Sequence, residues 1–382
     1  MSDLSDSVDW DARADDVLAD QISAYDRMRS RCPVARDESG HWSLFTHGDV
    51  VSALKDHDAF SNAVSVHVAV PNGMDPPEHT SFRELVDGYY TPERLTDFEP
   101  VLRDIAIRTI DGIPRGEPVE VLSMLAEPFA IAVQNAFMGW SQDLAEPLMS
   151  WNKKNQAAVL SQDRDQISAV AMEFDTHIRA QLALRSDGQT DDVTAQLMRE
   201  KVDGRSLTDD EIVAIIRNWT VGELGTMSAS FAIIIEFLAR NSAVQDRLRT
   251  HPELAVAASD EILRIHPPLI ANRRRTTRDV TLHDREIPAE SRVNLVWASA
   301  NRDESVFGDP DEFRLDREPD QNILYGVGIH YCPGTPLARL EFKVLLEELL
   351  ARVSSITPVS NPAPQLAIFP GAGWSQVHVQ FE

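Results

Sequence analysis

Cys332 sits in the stretch Tyr325-Gly-Val-Gly-Ile-His-Tyr-Cys-Pro-Gly334, a loop punctuated by glycines with a helix starting right behind it. Gly326, Gly328 and Gly334 can take left-handed backbone and let another group approach closely, so the thiol can be presented beneath a flat ligand. From Pro336 to Leu350 the apolar residues recur at helical spacing. The free amides and dipole of a helix N-terminus favour thiolate over thiol, and the thiolate is the form that ligates a metal. A lone cysteine in a turn is more often an inert buried thiol, so the surrounding pattern has to carry the assignment.

Other spacings add to it. Glu261 and Arg264 are three apart on a helical stretch, close enough for a carboxylate–guanidinium pair, although surface helices are full of such pairs. His79 and Arg83 are four apart and can donate to one anion, or merely face solvent. Arg273-Arg274-Arg275 lies in a strand-like stretch, where alternation puts Arg274 on the face opposite its neighbours. In Val221-Gly-Glu-Leu-Gly-Thr226 two glycines interrupt the longest helical run, each costing about 1 kcal/mol relative to alanine. Such a cost predicts a local opening where a ligand meets the backbone.

Tyr325 to Gly334 fits Phe/Tyr-x-x-Gly-x-His-x-Cys-x-Gly and resembles the haem-binding loop of the cytochrome P-450 family, in which the cysteine thiolate is the axial iron ligand. Tyr325 stands where Phe is usual, with little consequence expected. Met-Asp-Pro-Pro-Glu-His79-Thr-x-x-Arg83 resembles the family helix that binds the haem propionates. Arg274, by its interval from Arg264, and His330 match further propionate-side positions, and Gly326 and Tyr325 belong to the cofactor loop. Glu261 and Arg264 match the family's structural pair. The central helix aligns Gly222 and Thr226 with the family's small residue and oxygen-side threonine. Gly225 then falls where the family has an acid, and Glu223 replaces a glycine. Glu223, sharing a helix edge with Thr226, is the candidate to take over proton delivery; its alternative is a side chain facing another helix or solvent. The stretch from Ser61 to Asp75 is short for the family, with little room for a lid helix, which predicts an open pocket or another cover. The resemblance runs over essentially the whole chain, with its motifs in the family's order.

The fold expected is mainly α with small β-sheets, one large P-450 domain over residues 1–382, with a flexible N-terminus at 1–15 and haem b between the central helix and the cysteine helix. Expected elements are helices over Asp16–Arg31 and Asp49–Asp56, a helix capped by Asp75 with Pro76 at its first position, and a capping box Thr208-Asp-Asp-Glu211 opening a run to Ala239. Strands are expected at His41–Thr46, Val280–Leu282, Arg292–Trp297 and Gln376–Gln380.

The chain has 382 residues, a formal charge of −25 and two cysteines, Cys32 and Cys332, so no disulfide framework arises and nucleic acid or an anionic membrane is disfavoured. The apolar stretches read as too short to cross a bilayer and the N-terminus as no signal peptide. The implied protein is a cytoplasmic monomer that inserts one atom of O2 into a small hydrophobic substrate, using electrons from a ferredoxin and its reductase. Arg103, Arg108 and Arg339 are candidates for a basic docking patch, and Leu269, Ile270, Ala271 and Val221 for the pocket wall. The alternatives are peroxide-driven or rearrangement chemistry on the same fold, motivated by the missing acid, and a haem sensor or carrier without turnover.

Overall fold

The computed structural model describes residues 8–65, 68–369 and 371–382. The Thr208–Glu211 capping box forms as expected: Thr208 Oγ1 accepts from the Glu211 amide and Glu211 Oε2 accepts from the Thr208 amide at 2.8 Å. Arg205 adds a two-pronged pair to Glu211 and holds that carboxyl down to about 2. From this cap the central helix runs over Asp209–Arg240, regular to Val221, widened to π geometry over Gly222–Met227, and regular again from Ser228. The opening expected at the two glycines is this widened turn. The Thr226 hydroxyl donates to Gly222 O at 2.8 Å and Ser230 to Thr226 O at 2.7 Å, occupying carbonyls that a regular helix would use.

By length and composition this helix could cross a membrane, with mean hydropathy 1.5, which corrects the expectation that every apolar stretch is too short. It is apolar for another reason: 67% of its most apolar window is buried inside the protein. Phe231 lies edge-on between Phe129 and Phe342, at 5.1 and 5.6 Å, and so locks it to the cysteine helix Thr335–Arg352. Leu345, Leu346 and Leu349 of that helix join Leu102, Ile105 and Ala106 of the helix Pro92–Asp111 in the same core.

Glu261 and Arg264 are buried, as expected of scaffold. Arg264 Nε and Nη2 donate to the two Glu261 oxygens at 2.7 and 2.9 Å, and the guanidinium also ties down Asn301 O and Pro310 O. The main sheet runs Val34–Arg36, Trp42–Leu44, Arg292–Leu295, Asn272–Thr276, Phe60–Ser61. Arg274 is paired with Val293 and is buried while Arg273 is exposed, the alternation expected of that strand.

Several boundaries differ from expectation. The helix Asp16–Arg31 breaks at Asp20, whose carboxylate caps a new helix, Gln21–Arg31, by accepting from the Ser23 amide. Asp75 caps nothing: its carboxylate accepts from Ser61 Oγ and the Asn62 amide, and the helix begins at Glu78 with Pro77 before it. Thr46 caps the helix His47–Lys55. The strand at Arg292 ends at Leu295, and Trp297 opens a short helix. The C-terminal strand divides into Trp374–Gln376 and His378–Phe381. Of the stretch 1–15 expected to be flexible, residues 1–7 lie outside the described residues, whereas Trp10 is buried against Tyr25 and Phe45.

Candidate active site

The cysteine loop is shaped by two glycines with left-handed backbone, Gly326 at φ 75° and Gly328 at φ 77°. A Cβ on Gly328 would lie 2.9 Å from Leu54 O, so the loop can pack there only without a side chain. Gly334 differs from expectation: its φ of −76° is that of a right-handed helix entry. Within the loop, the Cys332 amide donates to Tyr325 O at 2.9 Å and Thr335 Oγ1 to Cys332 O at 2.8 Å. Cys332 is an exposed residue and lines a cavity. Burial pushes its thiol up, and the Gly334 amide and the Thr335 hydroxyl and amide pull the other way. The helix N-terminus therefore opposes burial without winning, and a metal would have to complete the deprotonation.

That cavity measures about 490 Å³. Cys332, Leu337 and Ala338 form one wall, Gly222, Glu223 and Thr226 of the widened turn another, and His79, Arg83, Arg274 and His330 gather elsewhere along the lining. Val64, Ser65 and residues 69–73 line it as well: Asn62 Nδ2 donates to Asn72 O at 2.8 Å and Asn218 of the central helix to Val70 O at 3.0 Å. The described part of the short Ser61–Asp75 stretch is thus held beside the cavity by two asparagines, and no lid helix occurs in it.

The rings of His79 and His330 lie 4.3 Å apart, and the Nε2 atom of each is buried with no partner. Burial lowers His79, and burial with the fields of His79 and Arg274 lowers His330 to about 3. Arg274 is 3% exposed; it donates to Arg273 O, and burial brings it down to about 10 against the field of Asp75. Arg83 is engaged otherwise, bonding Asp87 and donating to Ile329 O and Tyr331 O at 3.0 and 2.5 Å, so it braces the cysteine loop.

Tyr325 is not a silent stand-in for Phe. Its hydroxyl donates to Asp260 at 2.9 Å, and Arg339 pairs with that carboxylate while lying 5.1 Å over the Tyr325 ring. The three candidates for a basic patch carry acidic partners: Arg103 is held by Glu99, Glu347 and Glu348, Arg108 by Asp104, and Arg339 by Asp260. Of the four wall candidates only Leu269 lines the cavity; Ile270 and Ala271 pack beside Trp10 and Phe45, and Val221 is exposed outside the lining.

Glu223 and Thr226 both line the cavity and make no direct hydrogen bond to each other; the side chain that most affects the Glu223 carboxyl is Glu341 of the cysteine helix, a residue the sequence reading missed. The available signal was a carboxylate in an otherwise apolar stripe, Leu337, Glu341 and Leu345, of which every member is buried.

A thiol facing a widened helical turn across one cavity, beside a buried arginine and two histidines whose Nε2 atoms have no partner, defines a haem-thiolate type of site. Among the described residues no cluster of three or more His, Cys, Asp or Glu is placed to hold a metal ion. A family model, Cytochrome P450, matches residues 96–260 and 251–369. The chain is 29% identical to erythromycin C-12 hydroxylase of Saccharopolyspora erythraea, over 89% of both chains. It is 31% identical to steroid C26-monooxygenase of Mycobacterium tuberculosis, over 89% of this chain and 87% of the relative. Among solved structures, P450 EryK in complex with erythromycin B superposes with a TM-score of 0.87 at 27% identity, covering 94% of this chain and 96% of that one. The protein belongs to the cytochrome P450 family and is an oxidoreductase that uses haem b, with thiolate-ligated iron, and O2 as co-substrate. The residues present fit that group: the buried Nε2 atoms of His79 and His330 have no partner and lie with Arg274 along the cavity, donors that a ring carrying carboxylates can use.

Proposed function

We propose that this P450 monooxygenase oxidises a largely apolar organic molecule in the cytoplasm, with electrons from a ferredoxin-type donor and its reductase. The observation that carries this is the single cavity that brings Cys332, the widened turn at Thr226 and the His79–Arg274–His330 cluster together. When bound, the haem supplies iron at which O2 is activated. Cys332 Sγ is the ligand assigned to it, and the Gly334 and Thr335 donors stabilise the sulfur's negative charge. His79, His330 and Arg274 hold the propionates, with the Tyr325–Gly326 turn shaping the loop beneath the ring, and Arg83 contributes by fixing the loop carbonyls. Thr226 keeps its oxygen lone pairs toward the cavity because its hydrogen is given to Gly222 O.

Leu54, Val64, Val70, Phe137 and Leu269 give the cavity apolar walls, interrupted by Asn62, Asn218 and Trp219. That lining suits a mostly hydrocarbon substrate with a few oxygens, in keeping with the macrolide and steroid named for two relatives. Because Arg103, Arg108 and Arg339 are already paired with acids, the electron donor that docks here needs a face of modest negative charge. A peroxide-driven reaction is the second reading, favoured by Gly225 at the position of the family's acid. The reduced, CO-bound spectrum tests the site: a strongly red-shifted Soret band is expected, and is lost in Cys332→Ser but kept in Cys32→Ser. Binding shifts across steroid, macrolide and terpenoid panels then identify the substrate class, and peroxide in place of the electron donors separates the two readings.

A further inference from the structure

Three side-chain carboxamides lie buried or half-buried along the cavity: Asn62, Gln134 and Asn218. Each commits its NH2 group to the protein. Asn62 Nδ2 donates to Asn72 O at 2.8 Å, Gln134 Nε2 to Thr220 Oγ1 at 2.7 Å and Asn218 Nδ2 to Val70 O at 3.0 Å. At both asparagines that bond fixes which end of the amide is oxygen, since the turned-over amide would set two acceptors against each other. Asn62 differs from the other two. Its amide donates to Asp75 Oδ1 at 3.0 Å and its carbonyl accepts from the Val64 amide at 2.7 Å. Only its Oδ1 is left: shielded from solvent, and with no partner among the described residues. The whole residue is 9% exposed. Native folds keep very few shielded acceptors without a donor, because the lost hydration is not replaced. The protein holds this one in place from three sides, in the wall of a cavity, and supplies no donor for it.

The chemistry of the missing donor can be narrowed. Haem carboxylates cannot serve, because a carboxylate offers only acceptors. An ammonium group is disfavoured: Arg83, Arg273 and Arg274 line the same cavity, and Glu223 is the only acidic residue in its described lining. A neutral donor remains, and for a mostly hydrocarbon molecule with a few oxygens that donor is a hydroxyl. We propose that Asn62 selects an alcohol: the substrate presents a hydroxyl that donates to Asn62 Oδ1, and the matching ketone, which has only acceptors to offer, is rejected. This rests on the monooxygenase reading for what becomes of the alcohol, though not for its binding. A site built to bond a hydroxyl discriminates strongly against the analogue lacking it, since its own buried polar atom is then left unpaired. Asn218 is not equivalent. It is half-buried and its oxygen is not among the shielded, partnerless atoms, so an empty cavity costs it little.

Calorimetric titration of the haem-loaded protein tests the selection with matched alcohol and ketone pairs: menthol with menthone, borneol with camphor, and androstanediol with androstanedione. In each pair that binds, wild type is expected to hold the alcohol about tenfold more tightly, or better. In Asn62→Leu the preference should vanish. Loss of the Asn72 bond weakens both members of a pair alike, so the alcohol-to-ketone ratio reports Oδ1 and not the tether. Asn218→Leu is the control: it removes the bond to Val70 O but leaves Asn62 Oδ1 in place, and the ratio should stay as in wild type. A ketone bound as tightly as its alcohol by wild type, a preference that survives in Asn62→Leu, or no pair binding at millimolar concentration overturns the proposal. The wild-type ratio decides even where a variant fails to fold. The reduced, CO-bound spectrum is read on the same samples. A wild type lacking the thiolate band overturns the monooxygenase reading, while the binding ratio still decides the selection.

Discussion

The cavity of this P450 has two buried polar clusters of opposite sign. On one side Arg274 lies with His79 and His330, whose Nε2 atoms have no partner; on the other Glu223 and Glu341 are buried carboxyls on which no cation acts. Leaving one charge buried and unpaired costs several kcal/mol, so neither cluster can persist as bare ions. The first suits the carboxylates of the cofactor. In the second, burial holds both carboxyls toward the neutral acid form. Buried donors suit an anionic ligand, whereas buried acids kept neutral suit uncharged surroundings.

The largest break expected in this contrast is on the donor side. Arg274→Ala removes a charge-assisted hydrogen bond of about 1.5–3 kcal/mol, and Arg274→Ala with His79→Ala should leave little haem on the purified protein. Haem content equal to wild type in the double variant would show that these donors point elsewhere. Arg83→Ala sharpens the distinction, since Arg83 holds Ile329 O and Tyr331 O. Its main signature should be a faster unfolding of the cysteine loop in hydrogen exchange, beyond whatever haem is lost.

The acid side yields a pH dependence. The folded pair holds protons above the ordinary glutamate range, so the folded state binds more protons than the unfolded one there. Its stabilising contribution is complete below that range and falls as pH rises through it and beyond. Glu341→Gln should remove one proton from this linkage, flattening the decline by about 1.4 kcal/mol per pH unit. Parallel stability curves for wild type and variant between weakly acid and weakly alkaline pH would refute a raised carboxyl. The smallest effect is expected at Tyr325→Phe. Asp260 keeps Arg339, so the loss is one neutral–charged hydrogen bond, about 1 kcal/mol in stability, with the CO spectrum unmoved.

Local chemistry made much of this legible in the residues. The capping box of Thr208 and Glu211, the pair of Glu261 and Arg264, and the alternation at Arg274 depend on neighbours within a few positions, and each formed as read. Asp75 failed as a cap although its sequence context was favourable, because Ser61 and the Asn62 amide, brought close by the sheet, compete for the same carboxylate. The partners of Tyr325 were not legible for the same reason: Asp260 and Arg339 reach it from two other helices.

What the sequence determined by itself is the presentation of one cysteine by left-handed glycines at a helix start, and a central helix weakened at Gly222 and Gly225. Those follow from backbone sterics and from hydrogen bonds a few residues long. What the tertiary structure alone decided is which buried groups face which. Glu223, on the π turn, is buried with Glu341, more than a hundred residues further along the chain, as the carboxyl that most affects it. The two asparagines beside the cavity meet the backbone carbonyls of Val70 and Asn72, which no local pattern marks. A burial cost is a property of the packed environment, and so is the proton or ligand that cancels it.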